Sequence, residues 1–371
     1  MVSIASDTQE AIAPSVRMPR PRGPVSEQLL HSVRQPPHDL AWHVETAGAD
    51  QDDLHLALYC CYELHYRGLP AVDPEWEWEP SLLAVRRRLE ACFLAELESM
   101  VGPVEADSET VTTRLWEMAD GGGGPSLSGW VAARATLDQV RELAVHRSAY
   151  QLKEADPHTW GIPRLAGAAK AAMVTIQADE YGGGVAGSMH ATLFARTMAA
   201  LELDPSPNLY LDLIPGITLA TTNLISMLGL HRRWRGALVG HLALFEMTSV
   251  RPMARYGHAL RRLGVPDAGC QFYDVHVDAD QIHQHLAADG MVGGLLHDEP
   301  HLARDVLFGA AALGAVEARF SRHVLDQWRA GRSSLRPADG PPPDRRRRSY
   351  SATHAGPFRT AAVRSTEPLA G

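Results

Sequence analysis

Apolar residues recur at intervals of three and four along most of this chain, from about residue 51 to residue 329. That spacing places them on one face of an α-helix, because a helix completes a turn in about 3.6 residues. The same stretch lacks the alternating Val, Ile and Thr runs and the Asn-Gly turns that indicate strands and hairpins. With 371 residues, 45% of them hydrophobic, the chain can bury one large core or two modest ones. We therefore predict an all-α helical bundle.

Changes in composition divide the chain into five parts. Residues 1–35 and 331–371 are rich in Pro, Ser and Arg and show no period, so we expect a disordered leader and a disordered tail. Residues 119–129 contain four consecutive glycines and predict a linker. The linker separates an N-terminal helical block, residues 36–118, from a larger helical unit, residues 130–330. We interpret the N-terminal block as a support or dimerisation unit.

Charge, cysteine content and hydropathy argue against several classes of function. A formal net charge of -9 gives the chain no general electrostatic reason to bind nucleic acid or an anionic membrane. The four cysteines, at positions 60, 61, 92 and 270, form neither a CxxC pair nor a disulfide framework, which is typical of reduced core residues. No apolar stretch reaches the roughly 18 residues that a membrane span needs. We expect a soluble cytoplasmic protein.

The sharpest local pattern is His276-x-x-x-Asp280-x-x-His283. On a helix, residues four and seven apart share a face, so two imidazoles and a carboxylate would converge. Imidazole and carboxylate together suit iron, manganese or zinc. A solvated helix face that carries two histidines by chance explains this triplet alone equally well, because short metal-binding patterns recur at random.

Acidic residues in apolar surroundings form a second pattern. Glu246 lies within GHLALFEMTSV, where a buried carboxylate needs either an arginine or a metal as its partner. Glu180 ends an apolar helix, a position that the helix dipole makes unfavourable for a negative charge. The glycines at 182–184 would let the chain turn so that Glu180 and His190 both point inward. Glu154 is unremarkable when it is taken alone.

Taken together, these residues would balance the charge of two divalent metal ions. Glu154, Glu180, Glu246 and Asp280 carry four negative charges, and two Fe(II) ions carry four positive charges. Three histidines at 190, 276 and 283 add neutral nitrogens. Carboxylate-bridged di-iron sites in helical bundles follow the same logic, with inward-facing Glu and His on several helices.

With these residues the sequence resembles a known family, the haem-oxygenase-like di-iron oxidases and oxygenases, also called iron-containing redox enzymes. The resemblance covers about residues 50–330 and includes the phrases HRSAYQLKEADPHTW, IQADEYGGG, YDVHVDADQIH and ALYCCYELHYRG. It implies the haem-oxygenase-like helical fold, preceded here by an N-terminal helical extension, with two irons in place of haem. The ligands that it implies are Glu154, Glu180, His190, Glu246, His276, Asp280 and His283. Their intervals look like those of the amine N-oxygenating branch.

The resemblance implies a non-haem di-iron enzyme with two Fe(II) per chain and O2 as co-substrate. We expect a small amino-acid-like substrate from specialised, natural product biosynthesis. Two outcomes stay open: oxygen transfer to an amine nitrogen, or C–H abstraction that ends in desaturation, cleavage or cyclisation onto the amine. An external electron donor is compatible with both outcomes, and we expect a homodimer. The sequence shows no sign of the C-terminal cupin that some N-oxygenases carry.

Three other functions were weighed against this one. A non-catalytic helical protein that stores metal or binds a partner would not need seven ligands on several helices. Oxidative decarboxylation or desaturation of a fatty acid would need a long apolar tunnel. Haem binding is disfavoured because four inward carboxylates would repel the haem propionates, and a haem needs one proximal histidine.

Overall fold

The computed structural model describes residues 17–121 and 126–337. Within these ranges the chain forms helices and turns and no strand, so the all-α prediction is confirmed there. The α-helices, in chain order, are α1 (Pro24–Ser32), α2 (Gln51–Glu63), α3 (Pro80–Val101), α4 (Val111–Asp120), α5 (Leu127–Arg134), α6 (Leu137–Gln151), α7 (Asp156–Thr159), α8 (Gly167–Glu180), α9 (His190–Ala200), α10 (Gly216–Leu230), α11 (Arg235–Arg262), α12 (Gln271–His285), α13 (Gly294–Asp298) and α14 (Ala303–Arg329). A π-helical turn, Leu286–Gly293, joins α12 to α13.

Helix α11 is the central element of the bundle, and α12 and α14 pack along it. The contact between α11 and α14 depends on two glycines. A Cβ added to Gly240 would lie 1.8 Å from the Val306 carbonyl oxygen, and one added to Gly309 would lie 1.9 Å from that of Ala237. The two backbones therefore approach more closely than any side chain would allow. No described helix combines the length and the apolar character needed to cross a bilayer.

The N-terminal block packs directly on the rest of the bundle. Helix α2 lies against α10, and α3 lies against α14. One continuous cluster of buried apolar side chains contains Leu58 from α2, Leu224 from α10 and Phe320 from α14. In the described residues the apolar core therefore runs across the expected boundary between the two helical units.

The expected disordered leader is wrong for part of its length. Residues 24–32 form α1, which buries Val25, Leu29 and Leu30 against the core. The Asp53 carboxylate accepts hydrogen bonds from the backbone N–H groups of Val25 and Ser26 at 2.9 and 2.7 Å, so it supplies the partner that the start of α1 needs. The rest of the leader, residues 1–16, lies outside the described residues.

The expected tail and linker are also longer than the structure supports. Ser334 is 2% exposed and donates to Glu142, which shows that the first residues after α14 are packed. Residues 338–371 lie outside the described residues. Helix α4 extends to Asp120 and α5 begins at Leu127, so ordered helix occupies both ends of the predicted 119–129 linker. Residues 122–125 lie outside the described residues.

Candidate metal centre

All seven predicted ligands are buried, and they come from five parts of the chain. Glu154 lies in the turn after α6, Glu180 ends α8, His190 begins α9 and Glu246 lies in the middle of α11. His276, Asp280 and His283 line the buried face of α12, together with Phe272. The helix phase that the sequence predicted for this triplet is therefore observed.

Four of these residues form a first group whose ligand atoms lie within 4.8 Å of one another: Glu154, Glu180, His190 and His276. Nδ1 of His190 lies 2.8 Å from Oε2 of Glu180 and 3.2 Å from Nε2 of His276. Nε2 of His276 lies 3.8 Å from Oε2 of Glu154. Two nitrogens and two carboxylates thus surround one point, with a donor set that suits iron.

A second group contains Glu180, Glu246 and His283, again within 4.8 Å. Nδ1 of His283 lies 3.4 Å from Oε2 of Glu246 and 3.6 Å from Oδ1 of Asp280. The other Asp280 oxygen accepts a hydrogen bond from Ser249. Asp280 therefore lies at the edge of this group. Its Oδ2 accepts the hydrogen bond from Ser249, and its Oδ1 faces His283.

Glu180 belongs to both groups, as a bridging carboxylate would. Several buried ligand atoms have no hydrogen-bond partner among the described residues: both oxygens of Glu154, Oε2 of Glu180, Oδ1 of Asp280 and Nδ1 of His283. Unpartnered buried carboxylates are costly, so their concentration at one place suits a bound cation. The residues present therefore fit two metal ions.

Two of the histidines are oriented by hydrogen bonds on the side away from the cluster. Nδ1 of His276 donates to the Phe272 carbonyl at 2.6 Å, which leaves Nε2 facing the first group. Nε2 of His283 donates to Asp179 Oδ2 at 3.0 Å, which leaves Nδ1 facing the second group. A carboxylate behind a ligating histidine is the usual arrangement in metal sites. The sequence analysis did not identify this role for Asp179.

The glycine-rich break between α8 and α9 brings Glu180 and His190 together, as the sequence suggested. Gly182, Gly183 and Gly184 all have positive φ, between 61° and 82°. A Cβ on Gly182 would lie 2.5 Å from the backbone of Ser188, so only glycine fits where the chain folds back on itself. The fold-back sets the start of α9 beside the end of α8.

The turn that carries Glu154 is strained. Ala155 has φ 77° and ψ -41°, and it is not a glycine. A residue held in such a region costs on the order of 1–3 kcal/mol, which the surrounding contacts must offset. Helix α5 ends at Arg134, Thr136 caps the start of α6, and α6 ends at Gln151, before Glu154.

The electrostatics of the cluster follow from burial and crowding of like charges. Burial raises the pKa of Glu154 well above its usual value, and the neighbouring carboxylates of Glu180, Asp280 and Glu246 add to the effect. Burial also raises the pKa of Glu246, to about 8. Burial and the neighbouring like charges therefore favour the protonated form of both carboxyl groups.

The histidines respond differently according to their neighbours. Burial alone would lower the pKa of His283, but Asp280, Glu246 and Asp179 outweigh it and raise the pKa to about 11. Burial opposes Glu180 in the same way at His190, whose pKa is raised overall. At His276, burial prevails and the pKa is lowered. The neighbouring carboxylates therefore favour the positively charged forms of His190 and His283, and burial favours the neutral form of His276.

A cavity with about 210 Å³ of empty space lies against three of the carboxylates, Glu154, Glu180 and Glu246. Its remaining lining is Tyr150, Ala155, His158, Gln177, Leu242 and Phe245. Oε1 of Gln177 accepts a hydrogen bond from Thr159 at 2.8 Å, whereas its Nε2 is buried without a partner among the described residues. The cavity therefore offers an unused donor next to the cluster.

A pair of histidines outside the ligand set lies near this cavity. Nε2 of His158 lies 3.1 Å from Nδ1 of His241. Burial lowers the pKa of both, that of His241 to about 3, so both imidazoles are neutral. These two histidines therefore bond to each other beside the cavity and lie outside both groups of candidate ligands.

Comparisons with known proteins point to the same part of the chain. Residues 141–318 match the model of a family described as iron-containing redox enzymes. A nitrosourea synthase from Streptomyces achromogenes subsp. streptozoticus is 27% identical over 145 residues. That match covers 39% of this chain and 31% of the relative, so it spans about a third of the relative's length.

The family match begins within α6, ends within α14 and includes every residue of the two groups. The bundle in which they lie is all-helical, as the haem-oxygenase-like fold requires. The part of the chain that carries the candidate ligands, residues 141–318, is therefore similar to the iron-containing redox enzymes.

Proposed function

We propose that this protein is a non-haem di-iron oxidase or oxygenase that uses O2 to oxidise a small amino-acid-like molecule in natural product biosynthesis. The seven ligands would be Glu154, Glu180, His190, Glu246, His276, Asp280 and His283, with two Fe(II) per chain. The oxidation is either N-oxygenation of an amine or abstraction of a C–H hydrogen. We further propose that the protein is cytoplasmic and homodimeric.

The observation that most supports this proposal is the position of Glu180 in both groups of candidate ligands. A single structural ion pair would need one carboxylate and one cation. Here three buried carboxylates and three histidines form the two groups, and Asp280 lies beside them. Among the described residues the ion-pair partners of these carboxylates are histidines, not lysine or arginine. That donor set suits two iron ions that share a carboxylate.

Two bound Fe(II) ions would supply electrons for the reduction of O2. The protein's own residues would do the remaining work. Asp179 and the Phe272 carbonyl hold two imidazoles in the tautomer that can bind a metal. Leu242 and Phe245 keep water from one wall of the adjacent cavity, and Gln177 offers a hydrogen bond to a polar group that enters it.

The cavity supports a small, polar substrate. Five of its nine lining residues carry carboxylate, amide or imidazole side chains: Glu154, His158, Gln177, Glu180 and Glu246. This polar share of the lining favours an amino-acid-like molecule over a fatty acyl chain. The nitrosourea synthase similarity is the reason to test amine oxidation first.

An anaerobic titration of the full chain with 57Fe(II), followed by exposure to O2, tests the proposal. We expect Mössbauer spectra that report two irons per chain and O2 uptake that depends on the iron. A panel of amino acids should then reveal those that accelerate uptake. Product masses obtained with 18O2 would separate oxygen transfer from the loss of two hydrogens.

Variants on one helix provide a matched comparison. Asp280→Asn removes a proposed ligand, whereas Asp278→Asn alters an exposed carboxylate on the same helix. We expect the first to lose iron and O2 uptake while it stays folded, and the second to keep both. One iron or none in the unaltered chain, without O2 uptake, would contradict the proposal and favour a non-catalytic helical protein.

A further inference from the structure

Contacts with the N-terminal block fix the conformation of the turn that carries Glu154, and hydrogen bonds of the Glu154 side chain do not. Both carboxylate oxygens of Glu154 lack partners among the described residues, so hydrogen bonds do not fix its direction. The adjacent Ala155 has the left-handed φ of 77°. Contacts from elsewhere must therefore keep this turn in its conformation.

The first such contact comes from Lys153, the residue before Glu154. Its side chain is only 5% exposed and points into the N-terminal block, where Nζ donates to Oε2 of Glu63 at 2.5 Å. The ammonium also lies over two aromatic rings, 4.6 Å from the centre of Tyr59 and 4.5 Å from that of Tyr66. A buried lysine with an ion pair and two cation–π contacts has a defined position.

The second contact ties the backbone of the same turn. The guanidinium of Arg67, four residues after the end of α2, donates to the Leu152 carbonyl at 3.0 Å. Leu152 and Lys153, the two residues before Glu154, are thus bound to the segment after α2 and to α2 itself. Glu154 lies immediately beyond these two anchors.

The partner of Lys153 is itself held on both oxygens. Oε1 of Glu63 accepts from Nδ2 of Asn208 at 3.1 Å, and Oδ1 of Asn208 accepts from the Tyr59 hydroxyl at 2.7 Å. Glu63 is 1% exposed. We name Glu63, Tyr59, Lys153 and Asn208 the α2–turn network. Its members come from three separate parts of the chain, so it fixes the turn relative to the bundle.

We propose that the α2–turn network positions Glu154 for metal binding, with Glu63 and Lys153 as positioning residues. The N-terminal block is then part of the metal centre and not only a support. This inference rests on the proposed di-iron function. It also predicts that changes in the network weaken the binding of only one of the two irons. Glu154 belongs to the first group alone, whereas α8, α11 and α12 carry the second group, Glu180, Glu246 and His283.

Iron loading of the full chain tests this inference. Glu63→Gln removes the charge opposite Lys153, and a double variant, Glu63→Gln with Lys153→Met, removes both charges in case a lone buried ammonium prevents folding. We expect each to unfold cooperatively and to bind one iron about 10- to 100-fold more weakly than the unaltered chain, as is typical when a residue behind a ligand is changed. The second iron should bind as before.

Glu90→Gln is the matched control, because Glu90 is also buried, belongs to the N-terminal block and pairs with Arg86 and His231. It should bind two irons normally. Two irons with unchanged affinity in both Glu63 variants would overturn the inference and leave the di-iron function intact. Equal weakening of both irons would also overturn it, because it would indicate a general loss of packing. Failure of the unaltered chain to bind two irons would instead contradict the function itself.

Discussion

Glu154 and Glu246 place carboxylates in the interior with no arginine or lysine paired to either among the described residues. Burial raises the pKa of both, to about 8 for Glu246, and so favours the protonated form of each carboxyl group. Neighbouring carboxylates raise the pKa of His190 and His283 against the effect of burial and favour the protonated imidazoles. Metal ions must displace these protons before they can bind, and this competition couples iron affinity to pH.

Iron binding should therefore strengthen as pH rises. The pKa of Glu246 is about 8, so at pH 6.5 this group is protonated and competes with iron, whereas at pH 8 it is about half ionised. We expect the anaerobic Fe(II) association constant to rise about tenfold per pH unit for each proton displaced. Competition with a chelator at pH 6.5 and 8.0 would measure it.

Calorimetry provides an independent measure of the same coupling. Titrations in buffers of different ionisation enthalpy should report net proton release when Fe(II) binds at pH 6.5. An affinity that is independent of pH, with no protons released, would contradict the inference that protons compete with iron for these side chains.

The sequence allowed all seven candidate ligands to be named. The structure brings six of them together in two groups and places the seventh, Asp280, 3.6 Å from His283 at the edge of the second group. Periodicity accounts for the phase of His276, Asp280 and His283, because one helix fixes it. The role of Asp179 could not be predicted, since it depends on how α8 and α12 pack. Adjacent residues on a helix point in directions about 100° apart. Asp179 and Glu180 therefore face different parts of the site for reasons that only the packing reveals.

Among the helices, the contact between α11 and α14 is the one most limited by residue size. Gly240 and Gly309 each lie against the backbone of the opposite helix. Helix α11 also carries Glu246, a member of the second group of candidate ligands. Glycine here is required by the close approach of the two backbones, despite its poor helix propensity.

Gly309→Ala should destabilise the fold. The new Cβ would lie 1.9 Å from the Ala237 carbonyl oxygen, so the helices must separate. We expect a net loss of about 1–3 kcal/mol in the free energy of unfolding, since overpacking outweighs the better helix propensity of alanine. Denaturant titration would measure it.

Gly314→Ala serves as the control on the same helix, because a Cβ there would meet nothing within 4 Å. It should leave stability unchanged or raise it by up to about 1 kcal/mol. Equal effects of the two variants would show that propensity, and not the contact between α11 and α14, determines the outcome.

Helix boundaries were the least predictable feature at this scale. The composition of residues 1–35 indicated disorder, yet α1 forms because Asp53, which lies in α2, accepts from the first N–H groups of α1. This partner is distant in sequence, so no local sequence pattern predicts it. Likewise, the capping box of Thr136 and Gln139 starts α6 within a stretch that reads as one continuous helix.

Across the whole molecule, the helical units that composition separates share one apolar cluster. Val25 and Leu29 of α1, Leu58 of α2 and Phe320 of α14 all belong to it. A core that is shared in this way should unfold as a unit, because neither part can lose its partner without exposing apolar surface to water. The division into two domains predicts two transitions instead.

Leu29→Ala distinguishes these views. Leu29 is 1% exposed, so its truncation should cost about 2–5 kcal/mol if α1 belongs to the common core, and almost nothing if the leader were disordered. Calorimetry should show a single unfolding transition whose midpoint falls as a whole. Glu27→Ala, which changes an exposed residue of the same helix, should shift the midpoint far less. Two transitions, with only one of them moved by Leu29→Ala, would instead mean that the N-terminal block unfolds independently of the part that carries the metal centre.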